Sequence, residues 1–170
     1  MTPELTTDRL TLRAPRMSDS GLLAHYASDK QVAWNTTSIP HPYPKGAAEA
    51  FLTRKAAAVD WVIDGTISEL DEFLGLITLA GKGDETAEIG YFIAPIFWGT
   101  GIASEAVQRV VDHARKAGIK RLVASVFQDN PASAKVLSKA GFAYTGDDEA
   151  FSVARGAMVP RWRYALDLNA

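Results

Sequence analysis

Gly90-Tyr91-Phe92-Ile93-Ala94-Pro95-Ile96-Phe97-Trp98-Gly99-Thr100-Gly101-Ile102-Ala103-Ser104-Glu105-Ala106 runs from an apolar strand through a glycine-containing turn into an amphipathic helix. Such a junction makes an anion site, because the first N–H groups of a helix lack intrahelical partners and the aligned peptide dipoles place partial positive charge there. Gly99, Gly101 and Ala103 keep side chains off the path a pyrophosphate would follow along the main chain.

Two other glycine-rich phosphate loops fail on residues. A P-loop requires Lys and then Ser or Thr after its last glycine, whereas Ile102 and Ala103 follow Gly101. A dinucleotide fingerprint requires glycine where Ser104 stands and an acidic residue about 20 positions on; the next strand instead ends in Phe127 and Gln128.

The segment Trp98-Gly99-Thr100-Gly101-Ile102-Ala103 resembles the acyl-CoA signature of the GNAT N-acetyltransferase superfamily, with Trp98 where Gln or Arg is common. That variant resembles the ribosomal-protein N-acetyltransferase (RimJ/RimL-like) branch. Three further segments share the likeness, in the same order: Thr7-Asp8-Arg9-Leu10-Thr11-Leu12-Arg13, Glu88-Ile89-Gly90-Tyr91, and Asn130-Pro131-Ala132-Ser133 through Gly141-Phe142. Together they span nearly the whole chain.

The 170 residues are expected to form one domain, long enough to bury roughly 70% of the unfolded surface without staples. Cysteine is absent, which removes thiol nucleophiles and Cys-ligated zinc and suits a reducing compartment. The start, Met1-Thr2-Pro3-Glu4-Leu5, lacks the pattern of a secretory signal, and no apolar run approaches a membrane span. The expectation is a cytoplasmic protein without membrane contact. A formal charge of −2 gives no basic field for nucleic acid. His25, His41 and His113 are too scattered for a metal site, so no metal is expected.

Periodicity places the elements. Arg9 to Arg13 alternates as a half-buried strand, and Ser18 or Asp19 is positioned to cap a short helix through Leu22, Leu23 and Tyr26. Residues 34–44 read as a proline-stiffened loop, and Pro44 as the start of a helix through Phe51 and Leu52 toward Val59. Strands are expected at 61–63 and 73–79, with a hairpin at Gly81-Lys82-Gly83-Asp84 leading into a strand over 87–93. The helix from Gly101 shows apolar residues at Ile102, Ala106, Val107, Val110, Val111 and Ala114 and stops at Gly118. A strand over 121–126, a helix over 131–140, a strand from Phe142 and a last strand over 161–168 complete the chain. The expected class is α+β in three layers: a mixed, mostly antiparallel sheet of about six or seven strands with helices on both faces. The resemblance adds a central parallel pair that splays.

The resemblance also implies acetyl-CoA as acetyl donor and a direct attack by an amine acceptor in a ternary complex. Cofactor contacts then fall to Phe92, Ile93, Trp98, Gly99, Thr100, Gly101, Ile102, Ala103, Ser104, Asn130 and Ser133. The N–H of Ile93 or a near neighbour would hold the thioester oxygen, a donor worth about 3 to 4 kcal/mol where such donors have been removed. Relatives commonly carry a tyrosine general acid seven residues after the asparagine. Leu137 stands there, so the task falls to Ser133 or to water. Ser133 also suits the first turn of a helix for capping reasons, and Asn130 before Pro131 reads as a cap in its own right.

Glu88, before the cofactor strand, reads either as the general base or as a solvated strand residue. Trp34 and Tyr43, with Tyr91 as floor, read either as an acceptor-binding set or as a cover for the core. An α-amine titrates near 8 and a lysine near 10.4, a difference of roughly 3 kcal/mol at neutral pH, which favours an N-terminal amine as acceptor. A small-molecule amine, or acyl-CoA sensing without catalysis, stays open at this level, as does monomer against homodimer.

Overall fold

The computed structural model describes residues 2–168. The strands are β1 (Leu5–Thr6), β2 (Thr11–Arg13), β3 (Val59–Asp64), β4 (Gly75–Gly83), β5 (Thr86–Ile93), β6 (Arg121–Phe127), β7 (Ala143–Ser152) and β8 (Ala157–Asp167). The helices are α1 (Ser20–Ala27), α2 (Lys30–Trp34), α3 (Ala47–Thr53), α4 (Ile102–Lys116) and α5 (Pro131–Lys139). All eight strands share one sheet in the order β1-β2-β3-β4-β5-β6-β8-β7, antiparallel except between β5 and β6. The eighth strand is β1, whose two residues are too few to show alternation; Leu5 opposite Leu12 holds it in place.

Helices cover both faces. On one face α4 buries Ile102, Ala106, Val107, Val110, Val111 and Ala114, the stripe read from the sequence, against Ile63, Ile77, Ile89 and Leu122. On the other, Leu23 of α1 and Ala48 of α3 pack on Val62, Phe73 and Leu76. Apolar burial of this kind contributes about 25 cal/mol per Å² and is the main force holding the layers together.

Three local expectations are corrected. The helix expected from Pro44 begins at Ala47 instead, because Gly46 takes a left-handed φ of 84°; it ends at Thr53, and Val59 is already strand, opposite Leu79. Residues 30–34 form α2, with the Asp29 carboxylate accepting from the Gln31 N–H at 2.8 Å, so the loop begins only after Trp34. Asp19 stands before α1 but gives it no side-chain cap. It accepts instead from Arg13 Nη1 and Nη2 at 3.0 and 2.8 Å and from the Arg16 N–H at 2.8 Å. Arg13 Nε donates to Asp64 at 2.8 Å, which gives a buried Asp-Arg-Asp triad tying β2, β3 and the start of α1 together.

The β4–β5 hairpin turns through Asp84 and Glu85, both at positive φ, 51° and 58°, as a type I′ turn requires. β5 and β6 then pair only at Thr86↔Arg121, Ala87↔Leu122 and Glu88↔Val123. Beyond these, β5 stays with β4 as far as Ile93↔Gly75, and β6 stays with β8 as far as Phe127↔Arg161. The split in the middle of the sheet is where the cavities lie. No helix among the described residues is long and apolar enough to cross a membrane.

Candidate active site

A cavity of about 470 Å³ fills the split between β5 and β6, within the size range of small-molecule sites. Its walls are Ile89 to Ile93 of β5, the turn from Phe97 to Ser104, Ala124 to Val126 of β6, and Asn130, Ser133, Val136 and Leu137 of the α5 region. Every residue read as a cofactor contact therefore lines one space: Phe92, Ile93, Trp98 through Ser104, Asn130 and Ser133.

The turn is built from its own sequence. Gly99 and Gly101 sit at φ 74° and 81°, a left-handed conformation that costs other residues about 1 to 2 kcal/mol. Gly101 precedes α4 without a side-chain cap. The first N–H groups of the helix are thus left to a ligand, and the first i to i−4 bond is Glu105 N–H to the Gly101 carbonyl at 3.0 Å. The Trp98 indole N–H donates to the Ile93 carbonyl at 2.7 Å and fixes the path from strand to turn. From behind, Arg9 Nε donates to Glu105 at 2.8 Å and Arg9 Nη1 to the Thr100 carbonyl at 3.0 Å. Burial alone would raise the Glu105 carboxyl, but hydrogen bonds from Thr7 and Arg9 outweigh it and hold the group below its ordinary range.

Main-chain direction separates Ile93 from Phe92. The Phe92 carbonyl lies toward Gly75, and the Ala94 N–H donates to the Leu74 carbonyl at 2.8 Å, so residues 92 and 94 face β4. By alternation, the N–H groups of Tyr91 and Ile93 face the split. Phe92 lines the cavity without offering it a donor, which narrows the expected near neighbour to Ile93 or Tyr91.

A second cavity of about 200 Å³ lies against the opposite face of the sheet, lined by Thr37, Thr78, Ala80, Glu88, Phe127 and Arg161. Asn35, Thr36, Ile89, Gly90, Tyr91 and Ser125 line both spaces, so the two meet through the split. Glu88 belongs to the second cavity alone and stands 3.3 Å from Lys82 Nζ. Tyr91 reaches between β5 and α5, where its hydroxyl lies 2.7 Å from Ser133 Oγ. Burial pushes the Tyr91 phenol up to about 12, against a lowering contribution from the Ser133 hydrogen bond. Asn130 Oδ1 accepts from the Ser133 N–H at 3.4 Å, so the asparagine does cap α5. Leu137, fully buried, lines the first cavity.

Trp34 and Tyr43 line neither cavity. α2 carries the Trp34 ring beneath the Arg155 guanidinium, 5.1 Å away, and the Trp34 carbonyl accepts from Arg155 Nε and Nη2 at 3.0 and 2.8 Å. Tyr43 packs against the cluster of Leu23, Val62 and Phe73. The 34–44 segment supplies Asn35, Thr36 and Thr37 instead. Arg155, which nothing in the sequence singled out, lines neither cavity but stands behind this segment; it also binds Asp129 at 2.6 and 2.9 Å, next to the Asn130 cap.

Residues 9–143 match the family described as Acetyltransferase (GNAT) domain. The chain belongs to this family. This GNAT acetyltransferase is 35% identical over 153 residues to the uncharacterized N-acetyltransferase YoaA of Bacillus subtilis (strain 168), covering 86% of each chain. To the ribosomal-protein-serine acetyltransferase of Escherichia coli (strain K12) it is 35% identical over 79 residues, 45% of its own length and 44% of that protein's. Its fold matches the microcin C7 self-immunity acetyltransferase MccE, solved with acetyl-CoA and AMP, with a TM-score of 0.82, 19% identity, and coverage of 95% and 93%. The protein is an N-acetyltransferase with the GNAT fold.

Proposed function

We propose that this enzyme transfers the acetyl group of acetyl-CoA directly to a primary amine, with the N-terminal α-amine of a protein or peptide as the favoured acceptor. The observation that carries the reading is the meeting of two cavities at the split: a glycine-turn cavity suited to the donor and a polar cavity on the opposite face suited to an amine. Acetyl-CoA is a substrate here and supplies the activated acyl group. The chain fits it by the uncapped first turn of α4, the left-handed glycines, and a strand edge left unpaired past Glu88.

The N–H groups of Ile102 to Ser104 and the α4 dipole hold the pyrophosphate without needing a lysine. The N–H of Ile93 stabilises negative charge on the thioester oxygen. Asn130 fixes the first turn of α5 and thereby the position of Ser133, which donates to the departing sulfur. Glu88, on the acceptor side, removes the proton of an incoming ammonium directly or through one water. A carboxylate is a weak base in general, which suits an α-amine near pKa 8 better than a lysine near 10.4. The partial likeness to the ribosomal-protein-serine acetyltransferase supports a protein acceptor. The acceptor cavity of about 200 Å³ supports a second one, a small free amine held entirely inside.

Thiol release from acetyl-CoA, followed across peptides with free N-termini, N-blocked lysine peptides and small amines, tests both. The account expects turnover, faster with free N-termini than with lysine side chains. Faster turnover of small amines would move the assignment to the second reading, and bound acetyl-CoA with no thiol released from any amine would overturn the transfer itself.

A further inference from the structure

The catalytic task left open by Leu137 points to the strand opposite. Tyr91 and Ser133 form a hydroxyl pair, 2.7 Å apart, that joins β5 to α5 across the split. The Tyr91 hydroxyl also lies 3.3 Å from the Ser133 carbonyl, so the phenol is held by one residue of α5 through two atoms. Tyr91 lines both cavities, while Ser133 lines only the donor cavity. The pair therefore ties a residue that borders both spaces to one that lines only the proposed donor cavity.

We propose that Tyr91 and Ser133 form a proton relay that carries the proton released by the attacking amine to the departing sulfur. The inference rests on the acetyl-transfer reading and adds to it a residue with a role. As the amine nitrogen bonds to the acyl carbon, the carbon–sulfur bond breaks and its electron pair goes to sulfur. The nitrogen then gives its surplus proton to the Tyr91 oxygen, Tyr91 passes its own to Ser133 Oγ, and Ser133 delivers its own to sulfur. Amide and thiol result, and both hydroxyls are restored.

Serine alone is a poor acid for this step, being far less acidic than the thiol it must protonate. A phenol behind it refills the serine oxygen in the same motion. Because burial holds the Tyr91 phenol near 12, it stays protonated at rest and ready to donate. The charged groups lining the two cavities are Lys135 on the donor side and Glu88 and Arg161 on the acceptor side. Arg161 is engaged by Asp148 at 2.9 and 2.8 Å, and Glu88 by Lys82. Glu88 serves the first proton, that of the incoming ammonium; the relay serves the second.

A half-buried tyrosine also needs a hydrogen-bond partner for structural reasons alone, and the test separates the two roles. With an N-terminally free peptide or any amine that the enzyme turns over, Tyr91→Phe is expected to lower kcat about 10²-fold. Its dissociation constant for acetyl-CoA should stay within about twofold of wild type, and Tyr91→Phe combined with Ser133→Ala should be no more than about twofold worse than the worse single variant. The wild-type rate in mixed light and heavy water should depend on deuterium content along a curve, as several protons in flight require, and Tyr91→Phe should straighten it.

A second measurement needs no acceptor. With CoA bound, the ultraviolet absorbance of its thiolate is titrated in each protein, and both Tyr91→Phe and Ser133→Ala should raise the thiol pKa by about one unit relative to wild type. Multiplicative losses in the double variant, or a bound thiol that titrates identically in wild type and Tyr91→Phe, would overturn the relay. A wild-type enzyme that turns over no amine would instead count against the transfer reading, and the CoA titration would still decide whether Tyr91 acts on the sulfur through Ser133.

Discussion

Arg9 reaches from the N-terminal segment into the phosphate turn, where it donates to the Glu105 carboxylate from Nε at 2.8 Å and to the Thr100 carbonyl from Nη1 at 3.0 Å. One planar guanidinium thus clasps both ends of the Thr100–Glu105 arc that the CoA pyrophosphate is proposed to occupy. Gly101 lies so close that a Cβ there would meet Arg9 Nη2 at 3.4 Å. Arg9→Ala is expected to weaken acetyl-CoA binding about 5- to 10-fold, roughly the worth of one ordinary hydrogen bond, with kcat little changed. Arg9→Lys should recover less than half of the loss. Calorimetric affinities for the three proteins check this, and an unchanged affinity in Arg9→Ala would show that the turn holds its shape unaided.

Gly75 pairs with Ile93 across β4 and β5, and a Cβ at that position would run into the Phe92 carbonyl oxygen. The clash is with backbone, so the strands themselves must part. Gly75→Ala should cost several kcal/mol and lower the melting temperature by roughly 2 to 4 °C for each kcal/mol. Because Gly75 pairs with Ile93, residual folded protein should also turn over more slowly. A melting temperature within a degree of wild type would contradict the close approach.

Much of this arrangement was legible in the sequence, and the parts that were not share a cause. The turn and α4 were readable because glycines at 99 and 101 and the spacing of Ile102, Ala106, Val107 and Val110 are local signals. Gathering Phe92, Ile93 and Trp98 to Ser104 with Asn130 and Ser133 came from the resemblance and from the crossover that brings β5 beside β6. Arg9, Arg155 and the Tyr91–Ser133 pair escaped because each acts across 42 to 121 residues, and nothing near any of them in sequence marks the partner. Trp34 misled for the opposite reason. An aromatic on a proline-containing stretch reads as a ligand platform, but a single turn of α2 rotated it onto Arg155 and left the plain polar residues Asn35 and Thr36 at the cavities.

The Arg13 triad makes the stability of the fold depend on pH in the acid range. Burial alone would raise the Asp64 carboxyl, but hydrogen bonds from Arg13 and Thr66 outweigh it, so its folded pKa lies below the ordinary value. A depressed carboxylate stabilises the fold above its unfolded pKa of about 3.9, and that stability is lost as pH falls through this region toward the folded value. Urea unfolding from pH 7 to pH 3 should therefore show stability falling on the acid side. Asp64→Asn should be less stable at pH 7 by about 3 to 5 kcal/mol, since it leaves Arg13 buried with one partner fewer. The gap to wild type should narrow below pH 4. A gap independent of pH would place the contribution of Asp64 in packing rather than charge.

Arg155 links the end of α2, through the Trp34 carbonyl, to Asp129 beside the Asn130 cap. Its side chain is only 11% exposed, and truncation leaves the part-buried Trp34 carbonyl without both of its Arg155 donors. Arg155→Ala should raise the KM for the amine by about tenfold, because Asn35 and Thr36 lose their anchor, while the affinity for acetyl-CoA changes less. Steady-state kinetics with each substrate varied in turn separates the two. Equal losses in both would mean that the residue supports α5 more than the acceptor wall.

The claim on which the account depends is that the bare main-chain amides from Gly99 to Ser104 seat the phosphates of acetyl-CoA in the split between β5 and β6. Isothermal titration of acetyl-CoA into the purified protein measures it most directly. Saturable one-to-one binding with a dissociation constant on the order of 1 to 100 μM is the expected result. Titration without saturable heat at millimolar acetyl-CoA, in folded protein, would contradict it.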